Sequence, residues 1–150
     1  MKKFELTNEF VTNMFGTKLF RIRALVEFGD VEAGELGGYV EKESNLGHDD
    51  NAWVYGNAWV YGDAQVSGDA LVYGNARVYG NAWVYGNALV CGNAWVYGNA
   101  WVYGNAQVSG DARVCGDARV CGADASTGRL HSSGIRSGRH TEKQRRHKNT

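Results

Sequence analysis

The chain of 150 residues contains no proline, and its 21 glycines are periodic rather than scattered, a balance foreign to an ordinary globular sequence. No run approaches the roughly 18 consecutive apolar residues that a membrane-spanning helix needs. The start, Met1-Lys2-Lys3-Phe4-Glu5, lacks the apolar stretch of a secretion signal, so a cytoplasmic protein without membrane contact is expected. Cysteine is scarce and odd in number: Cys91, Cys115 and Cys121 form no CxxC pair, which argues against a disulfide framework and a zinc site. Glycine-rich phosphate cradles are missing too, since no GxGxxG or Walker sequence precedes a helix. Net charge is zero only in sum: residues 1–50 carry −4 and residues 129–150 carry +6.

What is present is a repeat. From Asn51 to Gly122 the chain reads NAWVYG, NAWVYG, DAQVSG, DALVYG, NARVYG, NAWVYG, NALVCG, NAWVYG, NAWVYG, NAQVSG, DARVCG, DARVCG. Self-similarity at a fixed period decides the architecture before any residue propensity does. The second position is always Ala, the fourth always Val and the sixth always Gly, whereas the third and fifth vary. That is strand alternation with Ala and Val inward. Gly followed by Asn or Asp marks a corner, because these residues tolerate left-handed backbone angles. The four residues from Ala to Tyr, Ser or Cys then form one short strand, and parallel stacking fits better than a meander, which requires a hairpin turn between strands.

The pairing of an inward aliphatic residue with a small residue four positions later, Val54 with Ala58 and onward to Val114 with Ala118, resembles the hexapeptide-repeat left-handed parallel β-helix family. The resemblance implies an all-β solenoid: a left-handed triangular helix of about four coils, three hexapeptides to each, over residues 51–122. Repeats three apart are then neighbours, and Val54, Val72, Val90 and Val108 form one inward column. Residues 1–50 are expected to be a small cap. In it Phe20, Ile22 and Ala24 alternate with Arg21 and Arg23 as a half-buried strand, the segment from Phe4 to Phe15 pairs with that strand, and Gly37-Gly38-Tyr39-Val40 leads into the first coil. This stretch, with Phe28-Gly29-Asp30, Leu36-Gly37-Gly38-Tyr39 and Asn45-Leu46, resembles uncharacterised phage and prophage repeat proteins. Residues 123–150 have the composition of a basic, disordered tail. Its Arg145-Arg146-His147-Lys148 cluster suits nucleic-acid phosphates, a minor alternative to simple solvation.

The family resemblance makes acyl transfer from coenzyme A the first chemistry to weigh. Such enzymes place a general-base histidine near a coil, usually beside a projecting loop. Here the twelve repeats hold no histidine and no insertion, and His48 at the cap boundary is the sole neighbour. The aspartates Asp63, Asp69, Asp111 and Asp117 never stack directly on an 18-residue coil, so turn chemistry explains them better than a cation site. No catalytic, cofactor-binding or metal-binding residue is therefore expected, and the cysteines fall on three different faces.

The outward third and fifth positions hold all five Trp and seven of the eight Tyr. Such ladders stabilise a helix by stacking on themselves. Contiguous aromatic residues interleaved with Arg also make good contact surfaces. The second face, Trp59, Tyr61, Arg77, Tyr79, Trp95 and Tyr97, has Tyr on three successive coils and Trp alternating with Arg. It is the expected surface for a protein partner or for self-association, with the fourth coil (Gln107, Ser109, Arg113, Cys115, Arg119, Cys121) a solvated end that contributes least. The function expected is that of a non-catalytic scaffold.

Overall fold

A computed structural model describes residues 2–122, 124–126, 128–130 and 134–136. Strands β1 (Phe4–Thr12) and β2 (Lys18–Ala24) form an antiparallel hairpin, β3 (Leu36–Val40) pairs antiparallel with β2, and a single 3-10 turn (Glu43–Asn45) leads to the repeats. Each hexapeptide then contributes one short strand, from β4 (Trp53–Val54) to β15 (Ala118–Cys121). Val54 pairs with Val72, Val72 with Val90 and Val90 with Val108, all in parallel, so repeats three apart are neighbours as the sequence requires.

Most of these strands are two residues long rather than four. The corners take up the rest: the fifth residue accepts a hydrogen bond from the second residue of the next unit, as in Ala58 N to Tyr55 O, and the sixth sits at positive φ, +60° at Gly56. Corners stack as regularly as strands, with Asp63 N donating to Gly80 O and Asn75 N to Gly92 O. Backbone groups are thus satisfied coil to coil, and the interior receives only Ala and Val, buried in every unit. Each Val contributes roughly 1.5–3 kcal/mol of burial, and stability accrues through interfaces between adjacent coils.

Beyond strand length, the structure departs from the sequence expectation in three places. The helix does not stop at Gly122 after four coils. Strands β16 (Asp124–Ala125), β17 (Arg129–Leu130) and β18 (Gly134–Arg136) add a parallel strand to each of the three sheets and make a fifth coil. The ladder is carried by the backbone, for example Ser109 N to Ala125 O and Arg113 N to Gly128 O, so it continues without the repeat's side chains. The Arg145–Lys148 cluster lies outside the described residues. In the cap, the inward residues of β2 are Leu19, Ile22 and Ala24, because a register shift turns Phe20 aside to pack on Phe10, centroids 5.9 Å apart.

The third departure concerns Trp53, which reads as outward in the repeat but is fully buried. Phe4 and Phe28 meet its ring edge-on at 6.2 and 5.2 Å and cover the first face where the helix begins. Lys3 closes this corner: its ammonium donates to Ala52 O at 2.7 Å and lies 4.5 Å from the Phe28 ring. Burial pushes the Lys3 pKa down to about 8, although Asp50, Asp49 and Asp69 pull the other way. Among the described residues no helix is long and apolar enough to cross a membrane.

Candidate aromatic and arginine contact face

The cap and the second face of the helix are one sheet. Its order is β1, β2, β3, β5 (Trp59–Val60), β8 (Arg77–Val78), β11 (Trp95–Val96), β14 (Arg113–Val114) and β17. Parallel register stacks Trp59 beside Arg77, Arg77 beside Trp95 and Trp95 beside Arg113. The third residue of each unit points outward, so the register builds a row in which cation and ring alternate. Arg77 lies 4.2 Å from the Trp59 ring and 5.9 Å from Trp95, and Arg113 lies 4.4 Å from Trp95.

A second row runs beside it from the fifth positions. Tyr61, Tyr79 and Tyr97 stack face to face, with centroids 5.0 Å apart and planes within 4° of parallel. Trp59 meets Tyr61 and Trp95 meets both Tyr79 and Tyr97 edge-on, at 6.3 to 6.5 Å, which locks the rows together. All six residues singled out in the sequence therefore share one surface. Each is half-buried by its neighbours, so stacking and presentation are properties of the same side chains.

Sequence reasoning missed the extension of the row into the cap. Tyr39 stacks beside Trp59, and Arg21 lies 4.4 Å from the Tyr39 ring while donating to Gly37 O. No periodic signal announces this, because Arg21 and Tyr39 meet through the antiparallel pairing of β2 and β3. The fourth coil is not a terminal layer either, since Arg113 closes the row over Trp95 and Arg129 pairs beyond it. Cys91, Cys115 and Cys121 fall on three separate sheets, as expected from the 18-residue coil. The third face carries its own stack: Trp83 on Trp101 at 5.5 Å and Tyr85 on Tyr103 at 5.0 Å, with Trp83 exposed by 42%.

The tyrosine row has an electrostatic signature. Burial, reinforced by Tyr61 and Tyr97, pushes the Tyr79 pKa up to about 12 despite Arg113 and Arg77. Burial also raises Tyr61 and Tyr97, the latter with help from its hydrogen bond to Cys115. A group whose pKa is raised on folding stabilises the fold below its unfolded value, near 10, and loses that contribution as pH rises through the folded value. Stability is therefore expected to fall between pH 10 and about 12, with Tyr79 among the last phenols to ionise. Absorbance titration of Tyr79→Phe against the parent chain checks this; an unchanged alkaline limb would refute it.

His48 sits where the cap meets the first coil. Its Nδ1 accepts from Lys3 N at 2.9 Å, its Nε2 is 3.0 Å from Glu43, and its ring stacks on Phe4 at 4.5 Å. Of the corner aspartates, Asp69 accepts from Asn51 N one coil away and Asp63 ion-pairs with Lys42. Between the remaining corners, Asn75 donates to Asn93 and Asn81 to Asn99.

Residues 64–122 match the YdcK beta solenoid repeat in seven overlapping segments, from 64–79 to 106–122, so the helical part of the chain is similar to that repeat. No curated protein matches the chain.

Proposed function

We propose that the protein is a non-catalytic scaffold whose second face, Trp59, Tyr61, Arg77, Tyr79, Trp95 and Tyr97, binds a protein partner or a second copy of the chain. The observation that carries this reading is the pair of interlocked rows, in which rings and guanidinium groups are fixed before any partner arrives. Preorganised aromatic and Arg side chains lose little entropy on binding and are favoured as anchors. The engagement of both His48 ring nitrogens with Lys3 and Glu43 supports a structural role for the histidine over acyl transfer. Acetyl transfer from coenzyme A that His48→Ala abolishes would overturn it. The three-sided coil of six-residue units supports placing the protein with the left-handed hexapeptide-repeat helices, and the resemblance of the N-terminal stretch, carried by Leu36-Gly37-Gly38-Tyr39 and Asn45-Leu46, supports a phage or prophage origin. Three unpaired cysteines suit a reducing cytoplasmic setting.

The test compares Trp95→Ala with Gln107→Ala, measuring self-association or partner affinity together with melting. Loss of an anchor costs ~2 kcal/mol, or about thirtyfold in affinity, whereas Gln107→Ala is expected to leave affinity unchanged. Equal affinities, with melting lowered only in Trp95→Ala, would leave the rows a purely structural device.

A further inference from the structure

The Trp–Arg row has different neighbours on its two sides. The tyrosines line one; the corner residues Asn75, Asn93 and Asp111 line the other, and between them and Arg77, Trp95 and Arg113 runs an open groove of about 310 Å³. Arg77 and Arg113 are held by the indole rings, and neither guanidinium ion-pairs with a carboxylate among the described residues. Asp111 lines the groove without pairing with either. Asn75 donates to Asn93 Oδ1 at 3.4 Å, which leaves the Asn93 amide nitrogen without a protein acceptor among the described residues.

We propose that this groove binds a linear acidic glycan, a polyuronate chain lying along the helix axis. Its cations recur on every second coil, about 9.6 Å apart at ~4.8 Å per coil. A 1,4-linked pyranose ring advances its chain by close to one coil spacing, so alternate rings bring their carboxylates to Arg77 and Arg113. Planar guanidinium groups take carboxylates in a bidentate fork. The intervening ring lies against the open edge of the Trp95 indole, and sugar hydroxyls match the mixed donors and acceptors of Asn75, Asn93 and Asp111. Two other polyanions fit less well. Single-stranded nucleic acid stacks its bases on open aromatic faces, whereas Arg77 and Arg113 already cover the indoles. An acidic peptide cannot add as a strand here, because Arg77 N and Trp95 N are already bonded to the next coil, and is left with the two arginines alone.

This assignment rests on the second face being a contact surface, and gives its corner side a ligand separate from the protein partner. The full chain is titrated with oligogalacturonate, and for comparison with a neutral 1,4-linked cello-oligosaccharide, polyglutamate and oligo-dT, reading heat and tryptophan emission. Saturable binding of oligogalacturonate is expected, about tenfold or more tighter than of the other three, and about tenfold weaker in Arg113→Gln, the loss typical of a hydrogen bond to a charged group. Tyr79 does not line the groove, so Tyr79→Ala should lower self-association and leave glycan binding intact. Absent self-association with retained glycan binding would sink the second-copy form of the protein contact and leave the glycan site standing. The glycan site itself is overturned by no binding of oligogalacturonate or by equal binding of oligo-dT or polyglutamate. Binding that survives Arg77→Gln/Arg113→Gln also overturns it, and assigns the affinity to the basic residues 129–150.

Discussion

Replacing Trp53 with alanine is expected to cost the fold about 3–5 kcal/mol, the range for deleting a large buried aromatic side chain. Trp53 is the largest fully buried side chain among the described residues, enclosed by Phe4 and Phe28. The site cannot collapse to fill the space. A Cβ added at Gly37 would already lie 2.8 Å from the Trp53 ring and 2.5 Å from Val54 O, so the backbone is pressed against the indole and fixed by the sheet. The cavity would open where the cap grips the helix, so the loss is expected to loosen β1 and β2 as well as the first coil. Trp53 Nε1 is buried without a hydrogen-bond partner among the described residues. Trp53→Phe therefore removes an unsatisfied donor along with some of the ring, and is expected to cost much less than Trp53→Ala. The control is Trp83→Ala, where the ring is 42% exposed. Denaturant titration should rank the three as Trp53→Ala, far ahead of Trp83→Ala and Trp53→Phe. A Trp53→Ala variant as stable as Trp83→Ala would show that the cap does not rest on this side chain.

Trp53 also marks the limit of what the sequence discloses. The units beginning at Asn51 and Asn57 are both NAWVYG, yet Trp53 is buried and Trp59 lies half-exposed beside Arg77. Nothing inside a hexapeptide distinguishes them. The difference comes from Phe4 and Phe28, more than twenty residues away along the chain, and such contacts have no period. The inward column from Val54 to Val108 is legible because every unit repeats the same local choice and the strand period of two admits only one face for it. The membership of the second face is legible for the same reason, once the coil length is fixed at three units. Its continuation through Tyr39 to Arg21 is not, since antiparallel pairing follows a different rule from the solenoid. The fifth coil escapes for yet another reason: Gly134, Ile135 and Arg136 pair with Ala118, Arg119 and Val120 through backbone groups that every sequence possesses.

A second large effect is expected at the corners, and it separates two costs that glycine substitutions usually mix. Gly56 and Gly92 occupy equivalent positions with φ of +60° and +65°. At Gly56 an added Cβ meets nothing within 4 Å, so Gly56→Ala carries only the backbone strain of a left-handed L-residue, roughly 1–2 kcal/mol. At Gly92 the same atom would lie 2.8 Å from Gly110 N and 3.2 Å from Gly110 O. Those are backbone atoms of the next coil, fixed by Asn93 N donating to Gly110 O, and they cannot swing aside as a side chain does. Gly92→Ala must therefore either push adjacent coils apart or break that bond, which adds the loss of a backbone hydrogen bond, about 1 kcal/mol or more, to the strain. In a linear stack each coil is stabilised by its neighbours, so a defect between the third and fourth coils weakens the interface that couples the two halves of the helix. It also displaces Asn93, the next residue, and with it the spacing of Arg77, Trp95 and Arg113 that defines the groove. Chemical denaturation of the two variants should place Gly92→Ala clearly below Gly56→Ala, and tryptophan emission should move in Gly92→Ala before global unfolding begins. Equal stabilities would mean that the corners have slack, and the rows of the second face would then owe their spacing to ring stacking instead of to the glycine column.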